Sequence, residues 1–352
     1  MTRMTFNDLM ARLAAPIVQA PMAGSQNHRL ALAVCAAGGL GSLPAAMWTA
    51  QDLHQELTAV TQATQAPYNI NFFCHASPDI DAAKQKQWQN ALAPYYQELG
   101  LAQSQNAAGA ARMPFSHEMA DVLEAFRPPV VSFHFGLPAP ELLSRVKAWG
   151  SLVMSSATTV AEAQWLEAHG ADVVIAQGLE AGGHRGMFLS TDLTTQLGTF
   201  ALLPQIVRAV KVPVIAAGGI ATAAGVQAAK TLGASGVQIG TSFLCSHEAN
   251  TNALHRAVLQ SPQSQHTALT NLFSGRPARG VVNRLMRELG PLSEHAPAFP
   301  LATADIAPLR AAAEAKGLHD FTPLWSGQNT AGVRDVSATN ITHDFVKAWQ
   351  GE

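Results

Sequence analysis

The stretch from Val212 to Leu244 decides the fold of this chain. It reads VPVIAAGGI from Val212, TAAGVQAAKTLG from Thr222 and GVQIGTSFL from Gly236. The first and third runs are short, apolar and glycine-rich, which is typical of strands buried on both faces of a parallel sheet. The middle run has the apolar spacing of a helix. Together they predict one strand-helix-strand unit, the repeating element of a parallel α/β sheet.

The same pattern extends along the rest of the chain. Helical periodicity recurs between most of the apolar runs, for instance from Val160 to Gly170. The predicted strands are Ile17 to Met22, Gly39 to Ala45, Tyr68 to Phe73, Val130 to Gly136, Ser151 to Ala157, Val173 to Gly178, Val212 to Ile220 and Gly236 to Leu244. A count of eight favours a closed (β/α)8 TIM barrel, and an open doubly wound sheet is the alternative.

Two stretches do not fit this repeat. Residues 76–113 are rich in Gln and Ala and read as a helix from Ile80 to Leu99, and residues 247–322 are polar, interrupted by Pro and helical around Asn283 to Glu288. Insertions of this kind lie in the loops of a barrel. We predict a second, smaller and mainly helical domain inserted at the C-terminal face of the barrel. The predicted barrel comprises 1–75, 114–246 and 323–352, and the smaller domain comprises 76–113 and 247–322.

The composition favours a small-molecule partner. Of the 352 residues 48% are hydrophobic and 13% are charged, and the formal net charge is -2 without any cluster of Lys or Arg. Proteins that bind nucleic acid or anionic membranes usually carry such a basic cluster, so we expect neither partner. The low share of charged residues is compatible with a monomer or a homodimer.

The cysteines and the N-terminus indicate the compartment. Cys35, Cys74 and Cys245 are far apart and form no Cys-x-x-Cys pair, which is typical of reduced core cysteines. The N-terminal residues alternate charged with apolar side chains and lack the continuous apolar core of a secretory signal. A cytoplasmic location is therefore expected.

Neutral polar side chains are predicted to converge inside the barrel. Alternate residues of a barrel strand face the interior and the surrounding helices. In the run VSFHFG this alternation turns Ser132 and His134 inward and Val131, Phe133 and Phe135 outward. The same parity turns four amides of other strands inward: Asn69, Asn71, Gln177 and Gln238. Each one alone also suits a hydrogen-bonded core position, but the set lines the face where barrel enzymes place their sites.

A histidine between glycines follows the sixth predicted strand. The loop reads QGLEAGGHRG from Gln177 to Gly186. Backbone N–H groups beside a lone imidazole can hold an anionic group and transfer a proton, so His184 is the first candidate for catalysis. The alternative is a tight turn that carries a surface histidine.

Glycines at the ends of the last two strands predict a phosphate site. Gly218 and Gly219 end the seventh predicted strand, and Gly240 and Thr241 lie near the end of the eighth. Barrels often bind phosphate at these adjacent loops, because glycine lets an anion approach the backbone N–H groups. Barrel turns also need glycine for other reasons, but its presence after both strands favours phosphate.

Several catalytic motifs are absent from the sequence, and their absence disfavours several classes of enzyme. The lysines at 84, 86, 147, 211, 230, 316 and 347 all lie outside the predicted strands, which disfavours a Schiff-base aldolase. The sequence has no His-Glu-x-x-His, His-x-His or paired acids at strand ends, so no catalytic metal is expected. It also lacks the Gly-x-Ser-x-Gly nucleophile motif. A phosphate site with amides and two imidazoles then calls for a cofactor that supplies the chemistry, and FMN would do so.

Taken as a set, the motifs resemble those of the class I nitronate monooxygenases of bacteria and fungi, formerly called 2-nitropropane dioxygenases. The stretches that carry the resemblance are VQAPMAG (18–24), NIN (69–71), QGLEAGGHRG (177–186), AGGI (217–220), QIGT (238–241), FSGRPARG (273–280) and LWSGQN (324–329). The resemblance covers most of the chain. It implies an FMN enzyme that oxidises alkyl nitronates, propionate 3-nitronate among them, with O₂ to a carbonyl compound and nitrite. Electrons would pass to the flavin, and NAD(P)H would not be consumed.

The resemblance also implies roles for individual residues. His184 and His134 would face the substrate, and His184 would act as a base only toward neutral nitroalkanes. The implied FMN contacts are Ala20, Pro21, Met22, Asn71, Gln177, Gly182, Gly183, Gly218, Gly219, Gln238, Ile239, Gly240 and Thr241. Arg185, Arg276 and Arg279 are candidates to attract a substrate carboxylate, with a surface salt bridge as the alternative for each.

Other functions share parts of this pattern. NAD(P)H-dependent flavin reductases of the same sequence family, which act on quinones or enoyl thioesters, have the same FMN-binding motifs and are the main alternative. A flavin-binding protein without catalytic activity is disfavoured, because holding the flavin does not require the two inward histidines.

Overall fold

The computed structural model, which describes residues 4–103 and 112–352, contains a parallel eight-stranded sheet. The strands of the described residues are β1 (Ile17–Gln19), β2 (Gly41–Pro44), β3 (Tyr68–Phe73), β4 (Val130–His134), β5 (Leu152–Ala157), β6 (Val173–Gln177), β7 (Gly183–His184), β8 (Val214–Ala217), β9 (Gly236–Ile239), β10 (Thr267–Thr270) and β11 (Ala278–Val281). The sheet has the order β1-β9-β8-β6-β5-β4-β3-β2.

Leu40, the residue before β2, closes the sheet into a barrel. It forms a parallel bridge with Val18 of β1. Its N–H donates to Ile17 O at 2.8 Å, and its carbonyl accepts from Gln19 N at 3.0 Å. The predicted (β/α)8 TIM barrel is thus confirmed, and the open sheet is wrong.

One helix follows each barrel strand. The helices of the described residues are α1 (Phe6–Met10), α2 (His28–Ala36), α3 (Ala50–Ala63), α4 (Ala82–Leu99), α5 (His117–Phe126), α6 (Pro140–Ala148), α7 (Val160–Ala168), α8 (Thr199–Ala209), α9 (Ala223–Thr231), α10 (Ala253–Leu259), α11 (Arg284–Leu289), α12 (Ala302–Ala315) and α13 (Ala338–Gln350). Helices α2, α3, α5, α6, α7, α8, α9 and α13 are the barrel helices. Short polar caps start many of them: in α3, Thr49 and Asp52 each bind the backbone N–H of the other.

No helix within residues 4–103 and 112–352 combines the length and the apolar composition needed to cross a membrane.

The barrel has an inner and an outer apolar core. Outside the sheet, helices and strands bury two clusters of aliphatic and aromatic side chains. Inside, Val18, Ile175 and Ile215 form a smaller core, and Leu9 of α1 packs against it from the N-terminal end. This end of the barrel is therefore filled, and a ligand site is expected at the opposite end, where the strands terminate.

Six of the eight predicted strands end earlier than the sequence pattern indicated, and β1, β4, β8 and β9 do so by two or more residues. Strand β4 stops at His134 because Phe135 has a positive φ of 71°, and β8 stops at Ala217 because Gly218 and Gly219 have φ values of 108° and 73°. A left-handed residue cannot continue the extended backbone, so the chain turns after these two strands. Strand β9 stops at Ile239, and a 3₁₀ turn follows at Thr241–Phe243.

The turn at Phe135 makes one predicted orientation wrong. Strand alternation placed the Phe135 ring outward, among the helices. Instead it packs at the C-terminal end of the barrel, where its ring centroid lies 4.8 Å from that of Phe73 and 5.5 Å from that of Phe299. Val131 and Phe133, which precede the turn, do face outward as predicted.

The two inserted segments share apolar contacts at this same end. Trp88 of α4, Leu285 of α11 and Leu309 of α12 belong to one buried cluster. The second insertion also contributes β10 and β11 to an antiparallel sheet with the order β10-β11-β7. The sequence analysis missed this sheet because its strands have only two to four residues each. The division of the chain into a barrel and a smaller domain stays a prediction.

Candidate active site

A cavity opens at the C-terminal end of the barrel, and we call it the barrel cavity. The ends of β1, β3, β4, β6, β8 and β9 and the segment from Trp325 to Asn329 form its walls. Among the predicted site residues, those that line it are Ala20, Pro21, Met22, Asn71, His134, Gln177, Gly182, Gly183, His184, Gly218, Gly219, Gln238, Gly240 and Thr241. The structure therefore brings together all but one of the residues predicted to be catalytic or to contact FMN.

Ile239 is the exception. Its side chain is 1% exposed and belongs to the outer apolar core, because Gln238 before it takes the inward position of the strand. The backbone of Ile239 does contribute, since its carbonyl accepts a hydrogen bond from Ala20 N at 2.8 Å. The predicted contact of Ile239 with a cofactor stays a prediction, and it would have to involve the backbone.

Asn69 is also placed differently from its neighbour Asn71. The fully buried Asn69 amide donates to Ser42 Oγ at 3.0 Å and to Ser132 Oγ at 2.9 Å, and it ties three adjacent strands together. Asn71 also donates to Ser132 Oγ, at 2.9 Å, but it reaches the cavity wall. Of these two inward amides, Asn69 has the structural role and Asn71 is available to a ligand.

The loop after β6 owes its shape to Gln177 and Arg185. Gln177 Nε2 donates to His184 O at 3.0 Å, and Gln177 Oε1 accepts from Gly186 N at 2.8 Å. The buried Arg185 guanidinium donates to Gln177 O at 2.8 Å and to Gly178 O at 2.6 Å. Because these side chains satisfy backbone groups that would otherwise be unpaired, the loop is held in one conformation.

Pairing with the inserted segment fixes the same loop from the other side. Strand β7 pairs with β11, so that Gly183 lies opposite Arg279 and His184 lies opposite Ala278. His184 is thus held on a strand of a small sheet and not on the free surface turn of the alternative interpretation.

His184 sits among aromatic rings with one nitrogen engaged. His184 Nε2 lies 2.9 Å from Ser274 Oγ, and the Ser274 hydroxyl donates to Arg276 O at 3.4 Å. Because the Ser274 hydroxyl uses its proton for Arg276 O, its oxygen accepts from His184. These two hydrogen bonds assign the ring proton to Nε2 and leave the lone pair on Nδ1. The surrounding ring centroids lie 5.3 to 6.2 Å away and belong to Phe73, Phe135, Phe299 and Trp325.

Burial sets the protonation state of this histidine. Loss of hydration lowers the pKa of His184 well below its ordinary value, and the positive charge of Arg112 lowers this pKa further. The imidazole is therefore neutral at pH 7, able to donate through Nε2 and to accept a proton at Nδ1.

His134 has both ring nitrogens engaged by the protein. Its Nδ1 lies 2.6 Å from Ser156 Oγ, and its Nε2 lies 3.1 Å from the carbonyl oxygen of His184. The carbonyl can only accept, so Nε2 carries the proton and Ser156 donates to Nδ1. Burial lowers the pKa of His134 to about 3, so it stays neutral. These contacts favour a role in holding the backbone of His184 over direct proton transfer.

We expect the neutral His134 to make the fold sensitive to acid. In the unfolded chain this histidine takes up a proton below pH 6.5, whereas in the fold it does so only near pH 3. Its contribution to stability is therefore complete above pH 6.5 and is lost as the pH falls toward 3, by about 1.4 kcal/mol per pH unit. In urea unfolding at pH 6, 5 and 4, His134→Gln should reduce the steepness of the stability loss. The same change at the exposed His295 is the control, and equal slopes for His134→Gln and the parent would contradict the assignment.

The three arginines predicted near the substrate have other roles. Arg185 is buried against the backbone, and Arg279 donates to Leu179 O at 3.0 Å and to Thr267 Oγ1 at 3.2 Å. Arg276 lies over the ring of Phe135, 4.0 Å from its centroid, and donates to Met187 O. Each of these arginines binds a backbone carbonyl oxygen. Within the described part of the chain, none of them has the predicted substrate contact or the alternative surface salt bridge.

The segment from Trp325 to Asn329 supports the glycine loops, a role that the sequence analysis did not assign. Gly327 N donates to Thr241 Oγ1 at 2.9 Å, and Asn329 Nδ2 donates to Gly219 O at 2.9 Å. Gly327 and Asn329 belong to the LWSGQN motif, which is the sequence feature that could have identified this role. Arg112 and Phe73 also line the cavity, and no motif pointed to either.

Gln238 presents an acceptor without a partner. Its Oε1 is buried and receives no hydrogen bond from the described residues, although the residue lines the cavity. Leaving a buried acceptor unpaired costs about 1 to 3 kcal/mol, so a ligand that donates a hydrogen bond here would be favoured. Together with the glycine loops, this acceptor makes the cavity suitable for a polar, phosphate-bearing molecule.

The comparisons with known proteins agree with this geometry. The family model described as nitronate monooxygenase matches residues 7–347. A nitronate monooxygenase of Pseudomonas aeruginosa is 38% identical over 339 residues, which cover 96% of this chain and 96% of that protein. One from Paraburkholderia phytofirmans is 38% identical over 333 residues, covering 93% and 90%.

Solved structures give the same result. A nitroalkane oxidase from Streptomyces ansochromogenes superposes with a TM-score of 0.89 at 37% identity, over 97% of this chain and 98% of that one. FabK from Thermotoga maritima superposes with a TM-score of 0.70 at 26% identity, over 98% and 95%. The resemblance seen in the sequence motifs is thereby confirmed: the chain is an oxidoreductase that belongs to the nitronate monooxygenase family.

Proposed function

We propose that this protein binds FMN in the barrel cavity and oxidises alkyl nitronates, propionate 3-nitronate among them, with O₂ to a carbonyl compound and nitrite. The observation that carries the proposal is the position of His184. A neutral, oriented imidazole lies on the same cavity as two glycine loops and an unpaired amide acceptor. The names of two similar proteins, nitronate monooxygenase and nitroalkane oxidase, agree with a nitro compound as the substrate.

The residues of the cavity fit FMN in kind and in placement. Gly218 and Gly219 follow β8 with positive φ, and together with Gly240 they leave backbone N–H groups without a side chain that would keep a phosphate away. Gln238 Oε1 and the Asn71 amide lie on the walls of the same cavity and would face the polar edge of the flavin ring. When bound, the flavin would accept electrons from the substrate and deliver them to O₂.

The protein itself has a limited task with a nitronate. The substrate has already lost its α-proton, so it needs only to be held in the cavity, where Phe73 and Trp325 supply apolar walls. A neutral nitroalkane additionally requires removal of the α-proton, and the unprotonated Nδ1 of His184 would accept it.

One set of assays tests the proposal. Flavin released from the purified protein would be identified by mass spectrometry, and nitrite release and O₂ uptake would be measured with propionate 3-nitronate and ethyl nitronate. We expect FMN and nitrite formation without NADH. A colourless protein that FMN does not reconstitute would overturn the whole proposal.

The structural similarity to FabK favours one alternative function, an NAD(P)H-dependent flavin reductase, and the same purified protein can be tested for it. NADH oxidation would be measured with a quinone and, separately, with an enoyl thioester. Rapid NADH oxidation without nitrite from either nitronate would assign the protein to the NAD(P)H-dependent flavin reductases instead.

A further inference from the structure

Arg112 places a positive charge on the wall of the barrel cavity. The residue is half-buried and lines the cavity together with Phe73 and His184. Its Nη1 donates to Thr303 Oγ1 at 2.7 Å, and the Thr303 hydroxyl donates in turn to Phe273 O at 3.0 Å. The guanidinium is thus anchored by one nitrogen to the inserted segment.

The described residues provide no carboxylate for this guanidinium. None of the ion pairs of the described chain involves Arg112. The preceding segment, 104–111, reads SQNAAGAA and contains no Asp or Glu. Burial lowers the pKa of Arg112 to about 10, and the nearby charge of Arg310 acts in the same direction. Arg112 still carries its charge at pH 7, next to a second cation.

A partly desolvated cation without a counter-ion is unfavourable, and an anionic ligand removes the cost. Nη2 and Nε of Arg112 have no acceptor among the described residues, and a guanidinium offers such a pair to the two oxygens of a carboxylate. Arg112 and His184 line the same cavity, and the charge of Arg112 helps to lower the pKa of His184. One short substrate can therefore contact His184 with its nitro group and Arg112 with its other end.

We propose that Arg112 binds a carboxylate at the end of the substrate remote from the nitro group, and that it selects carboxylated nitronates over plain alkyl nitronates. This inference rests on the proposed function. It identifies a specificity residue that is distinct from the arginines suggested by the sequence, all of which bind backbone carbonyls.

The test compares two substrates of similar size and shape. Propionate 3-nitronate and propyl 1-nitronate differ by a carboxylate in place of a methyl group. The parent protein should prefer the carboxylated compound in kcat/KM. Arg112→Gln should lower kcat/KM for propionate 3-nitronate by about 10- to 100-fold, mainly through KM, because a charged hydrogen bond of about 1.5 to 3 kcal/mol is lost. Propyl 1-nitronate should change less than about 3-fold.

Two further variants distinguish a direct contact of Arg112 with the carboxylate from a general effect of positive charge near the cavity. Arg112→Lys keeps the charge without the planar pair of donors and should retain an intermediate preference. Arg310→Gln removes a nearby cation that pairs with Glu314 and does not line the cavity, so it should leave the preference intact. Anaerobic calorimetry measures binding without turnover. Arg112→Gln should weaken the binding of 3-nitropropionate and leave the binding of 1-nitropropane nearly unchanged.

These measurements distinguish a failure of the role of Arg112 from a failure of the proposed function. If the parent releases nitrite from both nitronates with equal efficiency, or if Arg112→Gln and Arg112→Lys weaken both substrates equally, the role of Arg112 is wrong and the proposed function stands. If the parent releases nitrite from neither compound, the proposed function itself fails.

Discussion

Gly182→Ala is expected to weaken FMN binding and to lower the rate of nitrite formation on the order of 100-fold, the scale seen in rate when a reacting group is misplaced by about 1 Å. A Cβ at this position would lie 2.5 Å from Gly327 N and 2.6 Å from Ser326 C. Both are backbone atoms, so no side-chain rotation relieves the clash. The loop after β6 and the segment around Gly327 must then move apart.

The effect is large because this segment supports both glycine loops. Gly327 N binds Thr241 Oγ1, and Asn329 binds Gly219 O. A displaced Gly327 therefore disturbs the predicted phosphate site as well as the loop that carries His184. The two functional parts of the cavity depend on one close backbone contact.

Gly317→Ala is the matched control, because Gly317 does not line the cavity. A Cβ at Gly317 would meet nothing within 4 Å, and its φ of 73° costs an alanine about 1 to 2 kcal/mol. This variant should lose some thermal stability and still bind FMN. Titration of the apoproteins with FMN, followed by flavin fluorescence, gives both dissociation constants. Equal affinities for Gly182→Ala and Gly317→Ala would contradict the role of the contact.

The sequence allowed the barrel to be predicted because its signals are local. Most barrel strands are short, largely apolar runs, and the alternation in β4 correctly placed Ser132 and His134 inward. The same rule failed at Phe135, where a single left-handed residue reverses the direction of the side chain. Periodicity carries no information about such a residue.

The other errors arise from tertiary contacts that the motifs do not encode. Arg185 is next to His184 in sequence, but its guanidinium turns away to bind the carbonyls of Gln177 and Gly178. Arg112 lies far from every motif and reaches the cavity only through the packing of the inserted segments. Backbone partners of this kind become visible only once the chain has folded, so a motif locates a loop but not the direction of each side chain.

His184→Asn is expected to slow the turnover of neutral nitroalkanes by about 10²- to 10⁴-fold, the usual contribution of a general base. The asparagine amide can hydrogen-bond the nitro group but cannot accept the α-proton that Nδ1 would take. A nitronate needs no proton removal, so its turnover should fall much less. Nitrite release from nitroethane and from ethyl nitronate gives the two losses directly.

The dependence on pH provides an independent check of the same role. Since burial lowers the pKa of His184 well below its ordinary value, the basic form persists as the pH falls below 6.5. The parent's turnover of nitroethane should therefore lose no activity through His184 until the pH falls well below that value. An inflection attributable to His184 near pH 6.5 would show that the imidazole is hydrated in the working enzyme.

Ser274→Ala distinguishes a base from a binding group. Without the Ser274 hydroxyl, the proton of His184 is no longer fixed on Nε2, so the fraction with a lone pair on Nδ1 falls. A base should then lose activity on nitroethane and retain it on ethyl nitronate, in the same direction as His184→Asn but to a smaller extent. Deuterium at the α-carbon of nitroethane should slow the parent reaction if proton removal limits the rate. Equal losses on both substrates in the two variants would assign His184 to binding the nitro group, because only removal of the α-proton separates the two reactions.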